Sequence, residues 1–186
     1  MNLKKIIIIA CIGIFSVSAS AQGKFFTKTG KIVLFSSAPI ENISAANKSV
    51  VSLLDSKTGD LQFAALMKGF EFSKALMQEH FNSEYVESDK FPKAEFKGQI
   101  TNNATINYNG GGSYEVNVKG KLSIHGQTKD IEVTGTVIAK GGIVTLHSSF
   151  DILLADFKVS IPRLYTDNIS KTIKITVDAV LNPMTN

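Results

Sequence analysis

The chain has no tryptophan, one cysteine, three histidines and four prolines in 186 residues, and each scarcity closes off a class of protein. The one cysteine, Cys11, sits inside an N-terminal apolar run. The chain beyond Cys11 can form no disulfide and offers no thiolate to a metal or a substrate, so its fold must rest on its apolar core alone. The histidines, His80, His125 and His147, lie far apart with none of the short spacings of zinc ligands. No metal site is expected. A metalloprotease helix would need a second histidine one turn from His80, and position 76 holds leucine.

Other catalytic signatures are missing too. There is no G-x-S-x-G elbow, no phosphate-binding loop ending in Lys-Ser/Thr and no G-x-G-x-x-G after a strand. The run Gly110-Gly111-Gly112 lies between alternating segments without a phosphate-reaching lysine and reads as a hairpin turn. A hydrolase therefore has no sequence support. The formal charge of +4 comes from lysines scattered among acids, which gives no basic stripe and argues against nucleic acid. Past the first residues no apolar run approaches the roughly 18 residues of an integral membrane span. An outer-membrane barrel would carry aromatic girdles, whereas tryptophan is absent, the strand ends are not systematically aromatic and the chain ends in PMTN.

What is present begins with Lys4 and Lys5, an apolar run from Ile6 to Val17 and the small residues Ala19-Ser20-Ala21. These are the three parts of a secretory signal peptide. Residues 1–21 are read as that leader, with cleavage near Ala21-Gln22, and residues 22–186 as one domain of the periplasm or the extracellular medium. Ile8-Ile9-Ala10-Cys11 loosely fits a lipoprotein signal, but processing there would cut the apolar run in half.

The dominant period is two. In YEVNVKGKLSIHG, Tyr114, Val116, Val118, Gly120, Leu122 and Ile124 share one face and polar residues take the other. KTIKITVDAVL repeats the pattern with Ile173, Ile175, Val177, Ala179 and Leu181. Turn chemistry at Lys57-Thr58-Gly59-Asp60, Asn109 to Gly112, Gly126-Gln127-Thr128 and Lys140-Gly141-Gly142 joins adjacent runs as hairpins. Runs near Lys31, Val50, Leu61, Ala94, Tyr114, Ile131, Val144, Phe157 and Ile173 predict an all-β, antiparallel meander of about eight or nine strands, closed as a barrel or packed as two sheets.

FSKALMQEHF (72–81) breaks this pattern. Ser73 is placed to cap a helix of two or three turns, on which Leu76 stacks on His80 and Met77 on Phe81. The segment comes after a strand read from Leu61 to Phe70, and a short helix with an apolar side fits across a barrel mouth as a lid, with His80 tying it down. His125 is read as a turn residue and His147 as a strand residue.

A barrel of about eight strands either fills with its own side chains or holds one small ligand, and sequence leaves both open. If hollow, an apolar lumen suits an alkyl or isoprenoid chain. The candidate ligand-binding residues are Leu61, Phe63, Met67, Phe96, Tyr114, Val116, Val118 and Leu122 from the strands, with Leu76, Met77 and Phe81 from the lid. Phe70 and Phe72 fall on the opposite parity from Phe63, so a bulge near Lys68-Gly69 is expected.

Three blocks then carry a resemblance: Met77-Gln78-Glu79-His80-Phe81; Lys90-Phe91-Pro92 with Glu95-Phe96-Lys97; and, most specifically, Gly120 to Lys129, GKLSIHGQTK. In order and spacing they resemble the YceI family of secreted lipid-binding proteins through most of the chain after the leader, loosely up to about Lys48. The resemblance implies a lipocalin-like antiparallel β-barrel with a helix at its mouth, a bound polyisoprenoid (an isoprenoid quinone or similar amphiphile), no other cofactor, no catalysis and a homodimer. One departure is Leu154-Ala155-Asp156-Phe157-Lys158, where Lys158 stands in place of the glycine of an Asp-aromatic-Gly triplet, so a different rim is expected there.

Overall fold

The computed structural model describes residues 23–184; the leader and its cleavage point lie outside the described residues. The elements are β1 (Lys24–Ser37), β2 (Asn42–Asp55), β3 (Asp60–Leu66), β4 (Glu71–Phe72), α1 (Ala75–His80), β5 (Lys93–Ile100), β6 (Gly112–Ile124), β7 (Gln127–Lys140), β8 (Ile143–Leu153) and β9 (Thr172–Pro183). Eight of the strands form a closed antiparallel barrel, in the order β1, β2, β3, β5, β6, β7, β8, β9 and back to β1. The two-residue β4 pairs with Ala45 and Ala46 of β2, beyond the segment of β2 that β3 covers.

Local chemistry explains the hairpins. His125 and Gly126 take φ of 50° and 69°, as do Gly141 and Gly142 at 58° and 77°. Positive φ at both central residues is the two-residue turn whose twist matches that of the flanking strands. Alternation sets the faces: Val116, Val118 and Leu122 are buried, while Glu115, Asn117, Lys119 and Lys121 are exposed. Gly110 to Gly112, by contrast, ends a longer connection from β5 that contains a 3-10 turn at Asn103–Thr105.

Two expected strands are revised. The run around Phe157 is a 3-10 turn, Leu154–Phe157, because the chain leaves β8, folds inward and buries Phe157 at 2% exposure. Lys158 ends that turn in the left-handed region (φ 54°), where glycine is usual. Lys158 is exposed and does not itself line the cavity, although its neighbours Phe157 and Val159 do. The strand read as Leu61 to Phe70 stops at Leu66 and gives way to a 3-10 turn, Met67–Gly69. That turn shifts the parity, so Phe63, Phe70 and Phe72 all reach the interior.

The lumen is packed at one end and hollow at the other. At the packed end Leu54, Val144 and Leu181 are fully buried, and the Phe25 and Tyr108 rings stack with centroids 5.9 Å apart. The Tyr108 hydroxyl donates to Asn103 Oδ1 at 2.7 Å, and Asn103 Nδ2 donates to the Ser56 carbonyl at 2.9 Å, tying this loop to the end of β2. Burial pushes the Tyr108 hydroxyl up to about 12. Its folded value lies above the ordinary one, so its stabilising contribution is complete below about pH 10 and is lost as pH rises through the folded value. An ultraviolet titration of the native protein should therefore show a late tyrosinate step near pH 12 that is missing in Y108F. Ionisation of Tyr108 with exposed tyrosines would show that this end of the barrel is wet.

Candidate functional site

The hollow end is a cavity of about 500 Å³, walled almost wholly by apolar side chains from every strand of the barrel and from the helix. Ten of the eleven residues singled out from sequence lie in its wall: Leu61, Phe63, Met67, Leu76, Met77, Phe81, Phe96, Val116, Val118 and Leu122. Tyr114 does not. It lies toward the packed end, where its hydroxyl donates to the Gly111 carbonyl at 2.9 Å. Sequence reasoning missed the opposite wall, where Ile32 and Leu34 of β1, Phe150 and Ile152 of β8, and Ile173 and Ile175 of β9 face the cavity. The β9 residues carry a legible signal, since their alternation is as regular as that of β6.

The helix is held across the mouth by tertiary contacts. Ser73 does not cap it; the preceding position is taken by Lys74 in an extended conformation, with no side-chain cap. Instead Lys74 Nζ pairs with Glu41 Oε1 at 2.5 Å, and the Phe72 backbone N–H donates to Gln78 Oε1 at 3.2 Å. A helix of six residues is not stable alone, and these bonds with an apolar underside fix it. It widens into a π-type turn over Phe81–Tyr85. The Phe81 ring lies 4.9 Å from Phe72 and 5.8 Å from Phe70, centroid to centroid, which keys the helix to β4.

Of the lid residues, Leu76 borders the cavity as expected and is also 61% exposed, at the rim of the mouth, whereas the role expected of His80 is corrected. His80 is half-buried in the cavity wall and makes no side-chain hydrogen bond among the described residues; Gln78 and Lys74 supply the ties expected of it.

The histidine that does anchor is His125. Its Nδ1 lies 3.1 Å from the Phe157 carbonyl oxygen and its Nε2 2.7 Å from Glu87 Oε2, and the Phe91 ring meets it edge-on at 4.7 Å. Both partners are acceptors, so the doubly protonated ring satisfies both bonds. The hydrogen bond from His125 holds the Glu87 carboxyl below the usual carboxylate range. One side chain thus joins the β6–β7 hairpin, the segment leaving the helix and the Phe157 turn. Glu87 also has positive φ (44°), and its contact with His125, whose own positive φ belongs to the hairpin turn, braces it there.

Whereas Glu95 of β5 and Thr136, His147 and Ser148 of β7 and β8 line the wall elsewhere, six of its polar residues, Ser36, Glu41, Lys74, His80, Tyr165 and Asn168, lie where the helix meets the loop after β8. Tyr85 lies beside them, its hydroxyl pKa raised first by burial and then by the nearby Glu84 and Tyr165. No cluster of metal-ligating side chains exists among the described residues, nor is any helix there long and apolar enough to cross a membrane. His147 Nδ1 is 2.7 Å from Asp178 Oδ1, next to Ser148 in sequence, but the Ser148 hydroxyl donates to the Thr134 carbonyl at 2.6 Å. Neighbours on a strand point to opposite faces, so these three side chains do not form a triad.

Comparison with known proteins fits this geometry. The polyisoprenoid binding domain from Saccharophagus degradans implicated in plant cell wall breakdown superposes with a TM-score of 0.75 at 13% identity, covering 87% of this chain and 99% of its own. BcnA of Burkholderia cenocepacia gives 0.67 at 20% identity over 82% and 95% of the two chains. The Campylobacter jejuni YCEI protein gives 0.60 at 16% over 78% and 87%. No curated protein matches significantly. The profile of the YceI-like domain matches residues 11–181, and with that span, the closed eight-stranded barrel and the helix across its mouth, the chain belongs to the YceI-like family.

Proposed function

We propose that this protein binds a polyisoprenoid chain, as an isoprenoid quinone or similar amphiphile, in the hollow end of its barrel, and acts as its carrier or reservoir in the periplasm or outside the cell. The observation that carries this is the cavity: it is continuous and almost wholly apolar, which suits a hydrocarbon chain, and the polar residues where the helix meets the loop after β8 give a small head group a place. The Saccharophagus degradans domain of the same fold is described as polyisoprenoid-binding, and the leader-like first 21 residues support export. Non-enzymatic action fits a site without a nucleophile–base pair. A wholly filled barrel, serving only as a structural or interaction module, fits less well with a cavity of this size.

Native mass spectrometry of protein purified without detergent, with organic extraction of whatever is bound, tests the reading. A stoichiometric adduct of isoprenoid mass is expected. Each buried CH2 contributes about 0.8 kcal/mol, so the affinity for added prenyl alcohols should rise with chain length until the cavity is full and then level off. A bare protein that takes up neither quinone nor prenyl alcohol would end this reading.

A further inference from the structure

Three of the most exposed large apolar side chains among the described residues are Leu164 at 80%, Ile40 at 68% and Leu76 at 61%. They come from three separate segments that meet at the cavity mouth. The Ile40 N–H donates to the Asp167 carbonyl at 3.0 Å, joining the β1–β2 turn to the loop that carries Leu164. Glu41, next in the chain, pairs with Lys74 at the start of the helix that carries Leu76. Each is itself in the cavity wall or beside a residue that is: Glu41 next to Ile40, Tyr165 next to Leu164, and Leu76 itself. Single exposed leucines need no explanation, but three converging on the rim of one apolar opening form a surface.

We infer that this rim is a membrane-docking surface, on which Ile40, Leu76 and Leu164 enter the outer layer of a lipid bilayer and set the cavity mouth against it. The inference rests on the lipid-binding reading, because a polyisoprenoid resides in a bilayer and every CH2 that crosses water on its way to the cavity opposes transfer. A rim that dips into the bilayer removes that crossing. Charge at the rim is balanced, with Glu41 and Asp167 beside Lys74 and Arg163. Docking is therefore driven by apolar insertion and not by attraction to anionic lipid, in contrast with polybasic surfaces.

The test uses I40S/L164S, since neither residue lines the cavity. In flotation with pure phosphatidylcholine vesicles the unaltered protein should float equally at low and high salt, and the double variant should stay at the bottom. Transfer of a dansyl-labelled prenyl alcohol from such vesicles should slow at least about tenfold in the variant, while its affinity for the same probe added from solution is unchanged. Equal flotation and equal transfer rates for the two proteins would overturn the inference. So would failure of the unaltered protein to float together with self-association that the two serines abolish, which would make the rim a contact between copies. Flotation does not depend on cargo, so a protein that floats but takes up no probe would overturn the lipid-binding reading and leave the docking surface standing.

Discussion

Replacing Gly98 by alanine should destabilise the barrel by about 3 kcal/mol, a cost typical of overpacking against atoms that cannot move away. Gly98 of β5 and Gly120 of β6 face each other in register. A Cβ at Gly98 would lie 2.3 Å from the Lys119 carbonyl oxygen, 2.8 Å from the Gly120 Cα and 2.5 Å from Phe96 Cζ. The phenyl ring could turn aside, but the Lys119 carbonyl and the Gly120 backbone belong to the β5–β6 ladder. The two glycines leave a hollow that the Phe96 ring occupies from the same face of its own strand, so the clash would also push this ring into the cavity. Urea unfolding monitored by far-ultraviolet circular dichroism measures the effect: G98A should shift the midpoint strongly, and G120A should behave alike because its Cβ would lie 2.5 Å from the Gly98 Cα. A loss below about 1 kcal/mol in both would mean that the β5–β6 ladder yields more readily than its geometry indicates.

The double substitution M77D/F81D should abolish lipid retention, lowering affinity by more than about 100-fold, because it puts two carboxylates on the cavity side of the lid and removes apolar contact with the chain beneath. Phe81 also keys the helix onto Phe70 and Phe72, so its loss frees the lid as well as recharging it. The barrel itself should survive, since neither residue takes part in a strand ladder. The decisive comparison is bound lipid per protein after gel filtration, with circular dichroism confirming unchanged strand content. Full retention by a folded double variant would show that the helix covers the mouth without holding anything in.

The strand content and the inward faces of β6 and β9 are legible because alternation of period two arises from covalent geometry and needs no knowledge of partners. Met67 is placed at the site by the same alternation, and Phe81 by the i to i+4 apolar pairing that marks a helix. The misreadings share one physical origin. Ser73 has the right chemistry for a cap, but tertiary bonds through Lys74 and Gln78 start the helix without it. His80 has the position in the helix that an anchor would need, whereas the helix is tied through Gln78 and Lys74 and the segment after it through Glu87 to His125, 38 residues away in sequence. Phe157 reads as part of a strand until the turn that buries it is seen to fold back toward the His125 hairpin.

An antiparallel β-chain with short hairpins, one amphipathic helix and a lumen-facing apolar set can all be read along the chain, because each depends on neighbours within a few residues. That the barrel is packed at one end and hollow at the other emerges only once the strands are assembled. Leu54, Val144 and Leu181 are no more apolar than Leu34, Phe63 and Ile175, yet the first group meets across the lumen while the second faces empty space. That difference is set by where strands far apart in the chain come together, which no local pattern encodes.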